Sequence, residues 1–170
     1  VTLESHHVWH RDIKPANLGV GSPSGSTRRL MLFDFSLANA SAESTTVGTA
    51  AYRDPMLALR GRWDEHADRW AAAMTLHEMA AGSLPRWPGS ALEEGARLQI
   101  EADALPASVR TDLLEFFERA LHRDVKRRFE TGARMLARWR AIFEDTTHTA
   151  HDEVSSALEG ATRATSIREL

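Results

Sequence analysis

A chain of 170 residues, 42% hydrophobic and 26% charged, has the composition of a folded globular domain and not of a tail or fibre. Its 21 Lys and Arg against 24 Asp and Glu leave a net charge of −3, which gives no global electrostatic reason to bind nucleic acid or an acidic membrane surface. The absence of cysteine excludes a disulfide framework, a thiolate metal site and a cysteine nucleophile, and agrees with a reducing cytoplasm as the expected location; no apolar run reaches the roughly 20 residues that span a bilayer.

In chain order, Val1 to Trp9 reads as the last turn of a helix running into a loop, and a first residue already inside a helix predicts a piece of a longer protein. Leu18 to Val20 and Leu30 to Phe33 are short apolar runs separated by Gly21-Ser-Pro-Ser-Gly-Ser-Thr-Arg-Arg29, a separator dense in turn residues, so a small hairpin is expected. Ser36 to Met56 is small, polar and aperiodic, and predicts a long loop. Trp70 to Ala81 is apolar on most faces and ends at Gly82, which predicts a central buried helix. Val109 to Leu121 and Met135 to Phe143 repeat at helical spacing as amphipathic core helices. Residues 144–170 read as a linker with one weak helix near Glu153 to Leu158, leading at Thr165 to Leu170 toward a following module.

The chemistry is concentrated in His10-Arg-Asp-Ile-Lys-Pro-Ala-Asn17 and, beyond the hairpin, Asp34-Phe-Ser36. These segments resemble the catalytic loop H-R-D-x-K-P-x-N and the metal-binding D-F-G of the eukaryotic-like Ser/Thr protein kinase family. Phosphoryl transfer needs a carboxylate to orient the attacking hydroxyl and accept its proton, together with divalent metal to neutralise phosphate charge. Asp12 suits the first task, Asn17 and Asp34 are oxygen donors suited to Mg²⁺, and Lys14 can set its ammonium beside the transferring phosphate. Either motif alone reads as a solvated charge cluster or a strand end; their order and spacing around two strand-like runs favour the catalytic reading.

Further matches extend the resemblance to residue 143. Gly48-Thr-Ala-Ala-Tyr-Arg-Asp-Pro55 is similar to the end of an activation segment, which implies that Thr49 contacts Asp12 and Lys14. Asp68-Arg-Trp70 resembles the start of the family's central helix, whose leading Asp holds the catalytic loop; an Asp that merely caps the helix is the plainer alternative. Asp124-Val-Lys-Arg-Arg-Phe129 resembles the turn before the last core helix, although the basic run Lys126 to Arg128 also reads as a solvated turn. The resemblance implies that His10 packs under Phe35, and that Arg11 pairs with a phosphate on Ser44, Thr45 or Thr46; a merely flexible Ser/Thr run is an equal reading of those three. Lys14-Pro15 resembles the Ser/Thr-specific form of the loop, and ATP with Mg²⁺, or Mn²⁺ in its place, is the implied cofactor.

Four departures from the family pattern stand out. Ser36 replaces the glycine of D-F-G and Met56 the glutamate of A-P-E, so that Arg128 needs another acceptor, for which Asp54 is the candidate. Gly19 stands where a leucine-like floor beneath adenine is common, and Phe33 where a smaller residue is; the ring is expected to fill the volume the glycine vacates. Only nine residues precede His10, leaving no room for a Gly-rich loop, strand lysine and helix glutamate.

The expected fold is therefore mainly α: a kinase-like C-lobe over 1–143 with a short hairpin beside the catalytic loop and no N-lobe. The expected function is ATP-dependent phosphoryl transfer to a protein Ser or Thr hydroxyl, the isolated chain being inactive without its N-lobe. A pseudokinase scaffold is the alternative reading. Trp9-His10, Asn17 to Val20, Asp34 to Ala38 and Thr75 to Met79 bear a narrower similarity to large bacterial phage-defence kinases of the phage growth limitation and BREX type. The expected partners are then a protein substrate and the missing lobe, with no membrane, and with nucleic acid only indirectly through a defence complex. A metal hydrolase built on His6, His7 and His10 is the weakest reading.

Overall fold

The computed structural model describes residues 2–22 and 28–144; the linker, the weak helix near 153–158 and the 165–170 segment lie outside them. The architecture is mainly α with one hairpin, as expected. Helix α1 (Thr2–Ser5) leads into the loop that carries His10 to Lys14, a 3₁₀ turn at Pro15–Asn17 follows, and strands β1 (Leu18–Gly21) and β2 (Arg29–Leu32) pair antiparallel. Their register is Leu18 with Leu32 and Gly19 with Met31, and the Phe33 N–H continues the ladder to the Asn17 carbonyl at 2.8 Å. Helices α2 (Leu57–Arg60), α3 (Glu65–Ala81), α4 (Arg110–Ala120) and α5 (132–144) form the body. No helix among the described residues is long and apolar enough to cross a membrane.

The central helix begins earlier than its apolar stripe predicts. Asp64 caps it by accepting from the Ala67 N–H at 3.1 Å, and Glu65 and Asp68 place negative charge in a first turn whose dipole favours it. Polar residues hide this start, because the buried run opens only at Ala67. The helix ends where expected, at Gly82 with φ +73°. Burial does not continue all round to that end: Met79 is 55% exposed. The long loop 36–56 contains a 3₁₀ turn, Ala50–Tyr52, but no longer helix or strand.

Trp70, Ala73 and Met74 of α3 pack against Leu113, Phe116 and Phe117 of α4 and against Met135 and Ile142 of α5. Phe116 lies 5.3 Å from Phe117, 5.3 Å from Phe129 and 5.1 Å from Trp139 between ring centroids, so one residue joins both amphipathic helices to the turn between them. Full burial of a phenylalanine contributes about 1.5–3 kcal/mol, which makes this cluster the main clamp on the helical body.

A buried ion pair closes the other side of that body. Arg128 donates to both oxygens of Asp54, at 2.6 and 3.1 Å, with its guanidinium 4.6 Å from the Trp70 ring and its Nε bonded to the His122 carbonyl. Arg60 adds a second contact to Asp54 at 2.9 Å. The acid two residues upstream of Met56 thus takes the place of the absent glutamate, and Met56 itself is buried. The basic run is not uniformly solvated: Lys126 and Arg127 are exposed, whereas Arg128 is 5% exposed.

Removing one partner of such a pair strands a charge in the interior, so Asp54→Ala is expected to cost about 3–5 kcal/mol in urea unfolding, and Asp54→Ala/Arg128→Met less than the sum of its single changes. Additive single costs would show that the two residues are not coupled.

Candidate active site

The catalytic loop is held from behind by α3. Both oxygens of Asp68 accept main-chain N–H groups, from His10 at 2.6 Å and from Arg11 at 3.0 Å, and the Trp63 indole donates a third bond at 3.2 Å. Burial pushes the Asp68 carboxyl up from its ordinary value, while these donors pull it down. Helix capping belongs to Asp64, and Asp68 serves the loop. The anchored loop is strained, with Arg11 at φ +70° and its carbonyl against Gly48, where φ is +78° and any Cβ would collide with that oxygen. Glycine is required there on both counts.

His10 is fully buried with both ring nitrogens engaged. Its Nδ1 accepts from the Asp12 N–H at 3.3 Å, which assigns the proton to Nε2, the donor to the Phe33 carbonyl at 2.8 Å. Its ring meets Phe35 edge to face at 4.7 Å, as expected for a support beneath Asp-Phe-Ser. The same bonds leave no ring nitrogen to ligate metal, and no metal-like group of three His, Asp or Glu forms among the described residues.

Four polar side chains converge in front of this support. Lys14 Nζ lies 2.8 Å from Asp12 Oδ2 and donates to Thr49 Oγ1 at 2.7 Å. Thr49 returns two bonds to Asp12 Oδ1, from its hydroxyl at 2.7 Å and its N–H at 2.8 Å. Asn17 Nδ2 donates to the Asp12 carbonyl at 2.8 Å and to Oδ2 at 3.2 Å. Burial pushes the Asp12 carboxyl up, but Lys14 and Thr49 together outweigh it and hold the group at about 2.

Asp34 stands apart from this cluster, exposed at φ +61° and hydrogen-bonded to the Ser36 N–H at 3.2 Å. The Ser36 hydroxyl and N–H hold its carboxyl below the ordinary value. Because the Asn17 amide nitrogen is spent on Asp12, its Oδ1 has no hydrogen bond among the described residues, leaving an amide oxygen and a carboxylate as hard donors that fit Mg²⁺. Phe33 covers Gly19: a Cβ there would sit 2.7 Å from the ring, so the aromatic occupies the space a side chain at 19 would take.

A family model of the protein kinase domain matches residues 2–139. The chain belongs to the protein kinase family. It is 44% identical to the probable kinase PglW of Streptomyces coelicolor over 86% of this chain and 10% of that protein. It is 31% identical to the serine/threonine-protein kinase PknB of Mycobacterium leprae over 76% of this chain and 22% of that protein, and 36% identical to PknF of Mycobacterium tuberculosis over 46% and 18%. The kinase chain therefore spans between about a tenth and a fifth of the length of these relatives.

Arg11 of this kinase is 5% exposed and donates to the carbonyls of Ala40 at 2.5 Å and Ser41 at 2.9 Å, with its guanidinium 5.7 Å from the Trp63 ring. Ser44 and Thr45 are half-buried and Thr46 is exposed, and none of the three is bonded to Arg11. Trp63 also donates its N–H to the Ala42 carbonyl at 2.7 Å, and Arg53 bonds the carbonyls of Val47 and Gly48 at 3.0 and 2.8 Å. Sequence reasoning missed both residues. Trp63 carried a signal, a lone large aromatic just before a helix cap; Arg53 carried none, because its partners are main-chain oxygens. Tyr52 gives its hydroxyl to Glu78 of α3 at 2.5 Å, and burial with this carboxylate pushes the phenol up to about 12.

Asp68→Ala would strand two main-chain donors and an indole, each costing about 1–3 kcal/mol when buried without a partner. Thermal unfolding should show a large loss for Asp68→Ala, with partial recovery in Asp68→Asn, which keeps one acceptor oxygen.

Proposed function

We propose that this chain is the C-terminal lobe of an ATP-dependent protein kinase that phosphorylates Ser or Thr hydroxyls. The observation that supports this most is the closed network of Asp12, Lys14, Thr49 and Asn17. Asp12 Oδ1 and Oδ2 are already oriented by four donors, so the carboxylate waits in one geometry for a substrate hydroxyl. With its carboxyl at about 2, Asp12 is a weak base, and its main work is to aim the hydroxyl and take its proton late in the transfer. Lys14 keeps positive charge beside the reacting oxygen, and Thr49, on the activation segment, registers the substrate against the loop.

Asn17 Oδ1 and the Asp34 carboxylate would hold Mg²⁺, or Mn²⁺, and Gly19 and Phe33 would line the adenine site. When bound, metal–ATP supplies the phosphoryl group and offsets its charge. Ser36 steadies Asp34 through its N–H and hydroxyl, so the loss of glycine from D-F-G does not remove the metal ligand. Arg11 already binds two main-chain carbonyls of the segment; phosphorylation at Ser44, Thr45 or Thr46 would add to an order that is partly in place.

The upstream lobe belongs on the hairpin side. Val20, Leu30, Met31, Phe33 and Phe35 expose between 38% and 69% of their surface around β1 and β2, an apolar face that a partner lobe would cover. Residues 1–143 form the kinase lobe in this reading, and 144–170 lead to a following module. The parent protein is a large cytoplasmic bacterial kinase of the phage-defence kind, a reading supported by the 44% identity to a protein about ten times the matched length. Its substrate is a protein, and nucleic acid enters only through the complex around it.

The full-length protein is expected to transfer radiolabel from ATP to a protein substrate with Mg²⁺. The isolated 170-residue chain and full-length Asp34→Ala should show none. Equal inactivity of the full-length parent and Asp34→Ala, with either metal, would mean a scaffold.

A carboxyl lowered on folding adds stability that is complete above its unfolded value and is lost as pH falls through its folded one. The difference in unfolding free energy between the parent and Asp12→Asn should therefore stay level above pH 3.8 and shrink only below it, toward about 2. A difference that titrates between about pH 5 and 7 would show that the network does not hold the charge.

A further inference from the structure

The loop from Gly82 to Val109 joins α3 to α4, and its two arms are tied by paired main-chain bonds between Arg86 and Gln99 at 3.1 and 2.8 Å. Between this loop and the end of α4 lies a cavity of about 470 Å³ that shares no residue with the Asp12 network. Trp87, Leu98 and Ile100, each partly exposed, give it an apolar floor, and Arg97, Arg123 and Arg127 give it a basic rim, opposed by the single acid Glu118 among its lining residues.

The state of those arginines makes the cavity more than a dent in the surface. Arg123 donates to the carbonyls of Leu92, at 3.0 Å, and Glu93, which fixes its guanidinium without neutralising it. Arg97 and Arg127 are exposed, and neither has a carboxylate partner among the described residues. Arg86 and Arg138, by contrast, sit against carboxylates at 2.6 Å. Three uncompensated guanidinium groups around an apolar hollow, on a chain whose net charge is −3, form a local potential opposite to that of the whole.

We propose that this cavity is a docking site for an acidic segment of a partner protein, seating one large apolar side chain on Trp87, Leu98 and Ile100 with Asp or Glu residues on either side against the arginines. A volume in the range of ordinary ligand sites accommodates an anchor side chain and its neighbours. A short acidic peptide matches the confined basic rim, whereas a nucleic-acid backbone would need its charge met well beyond three arginines, on a chain of net charge −3. Arginine's planar fork suits carboxylates in a way that lysine would not. The site needs no phosphoryl transfer, so a binding measurement tests it separately from the kinase reading.

The test uses the full-length protein and fluorescein-labelled synthetic peptides followed by anisotropy. The probe is a short Asp/Glu-rich peptide with a central Leu; one control replaces that Leu by Gly, and another replaces the acids by Lys. The acidic Leu peptide should bind about tenfold or more tighter than either control and weaken as salt rises. Arg97→Glu/Arg127→Glu should lose that binding and gain affinity for the Lys peptide while its thermal unfolding is unchanged, since both arginines are exposed. Arg97→Gln and Arg127→Gln, which add no new charge, should each weaken binding severalfold. Equal binding by the parent and by these variants overturns the proposal, as does a single-stranded oligonucleotide of matched charge that displaces the peptide at equal concentration.

Discussion

Two hydrogen bonds that the main-chain N–H groups of His10 and Arg11 donate to Asp68 connect the interior of the protein to its chemistry. The carboxylate rises from α3, whose Trp70, Ala73 and Met74 are fixed by the aromatic clamp, so the rigidity of the core is transmitted to a loop that has no regular structure along 10–13. That loop is bent through a left-handed residue, a conformation it holds only because something outside it supplies the energy. Trp63 joins the same carboxylate and lies against the Arg11 side chain, so one acid organises both the loop and the start of the activation segment.

In front of this anchor the balance is electrostatic. Asp12 is desolvated enough to favour its neutral form, and Lys14 and Thr49 more than reverse that preference. The outcome is an ionised carboxylate whose lone pairs are already directed, which suits a reaction that asks the protein to position and neutralise more than to act as a strong base. The same economy appears behind it, where the neutral ring of His10 connects Asp12 to Phe33 through two ordinary hydrogen bonds.

Much of this was legible in the sequence because it is local. The segments His10 to Asn17 and Asp34 to Ser36 carry their chemistry at fixed spacing, and the stripe from Phe116 through Ile142 declares its own burial. The start of α3 was not legible, because polar residues that satisfy a helix end look like loop until the cap is seen. Burial of Arg128 in an otherwise solvated basic run depended on Asp54, 74 positions away, and only the missing glutamate at 56 pointed to it. Arg53 escaped the sequence altogether, and Arg11 was singled out there for a phosphate rather than for the Ala40 and Ser41 carbonyls it binds, since main-chain carbonyls have no letter in a sequence.

The relocation of the acid from position 56 to Asp54 bears on how such chains diverge. Arg128 and Arg60 share one anion in a closed space floored by Trp70, while the 56 side chain is packed inside the protein. Arg60 also meets Asp64 at 2.6 Å, so two acids already face the two cations, and a further buried carboxylate at 56 would be left without a partner. The two positions therefore differ in kind: 54 holds the acid that meets both arginines, and 56 holds a buried apolar side chain. Moving the acid from 54 to 56 one residue at a time passes through either a doubly acidic or an acid-free state, and each leaves a buried charge without its partner.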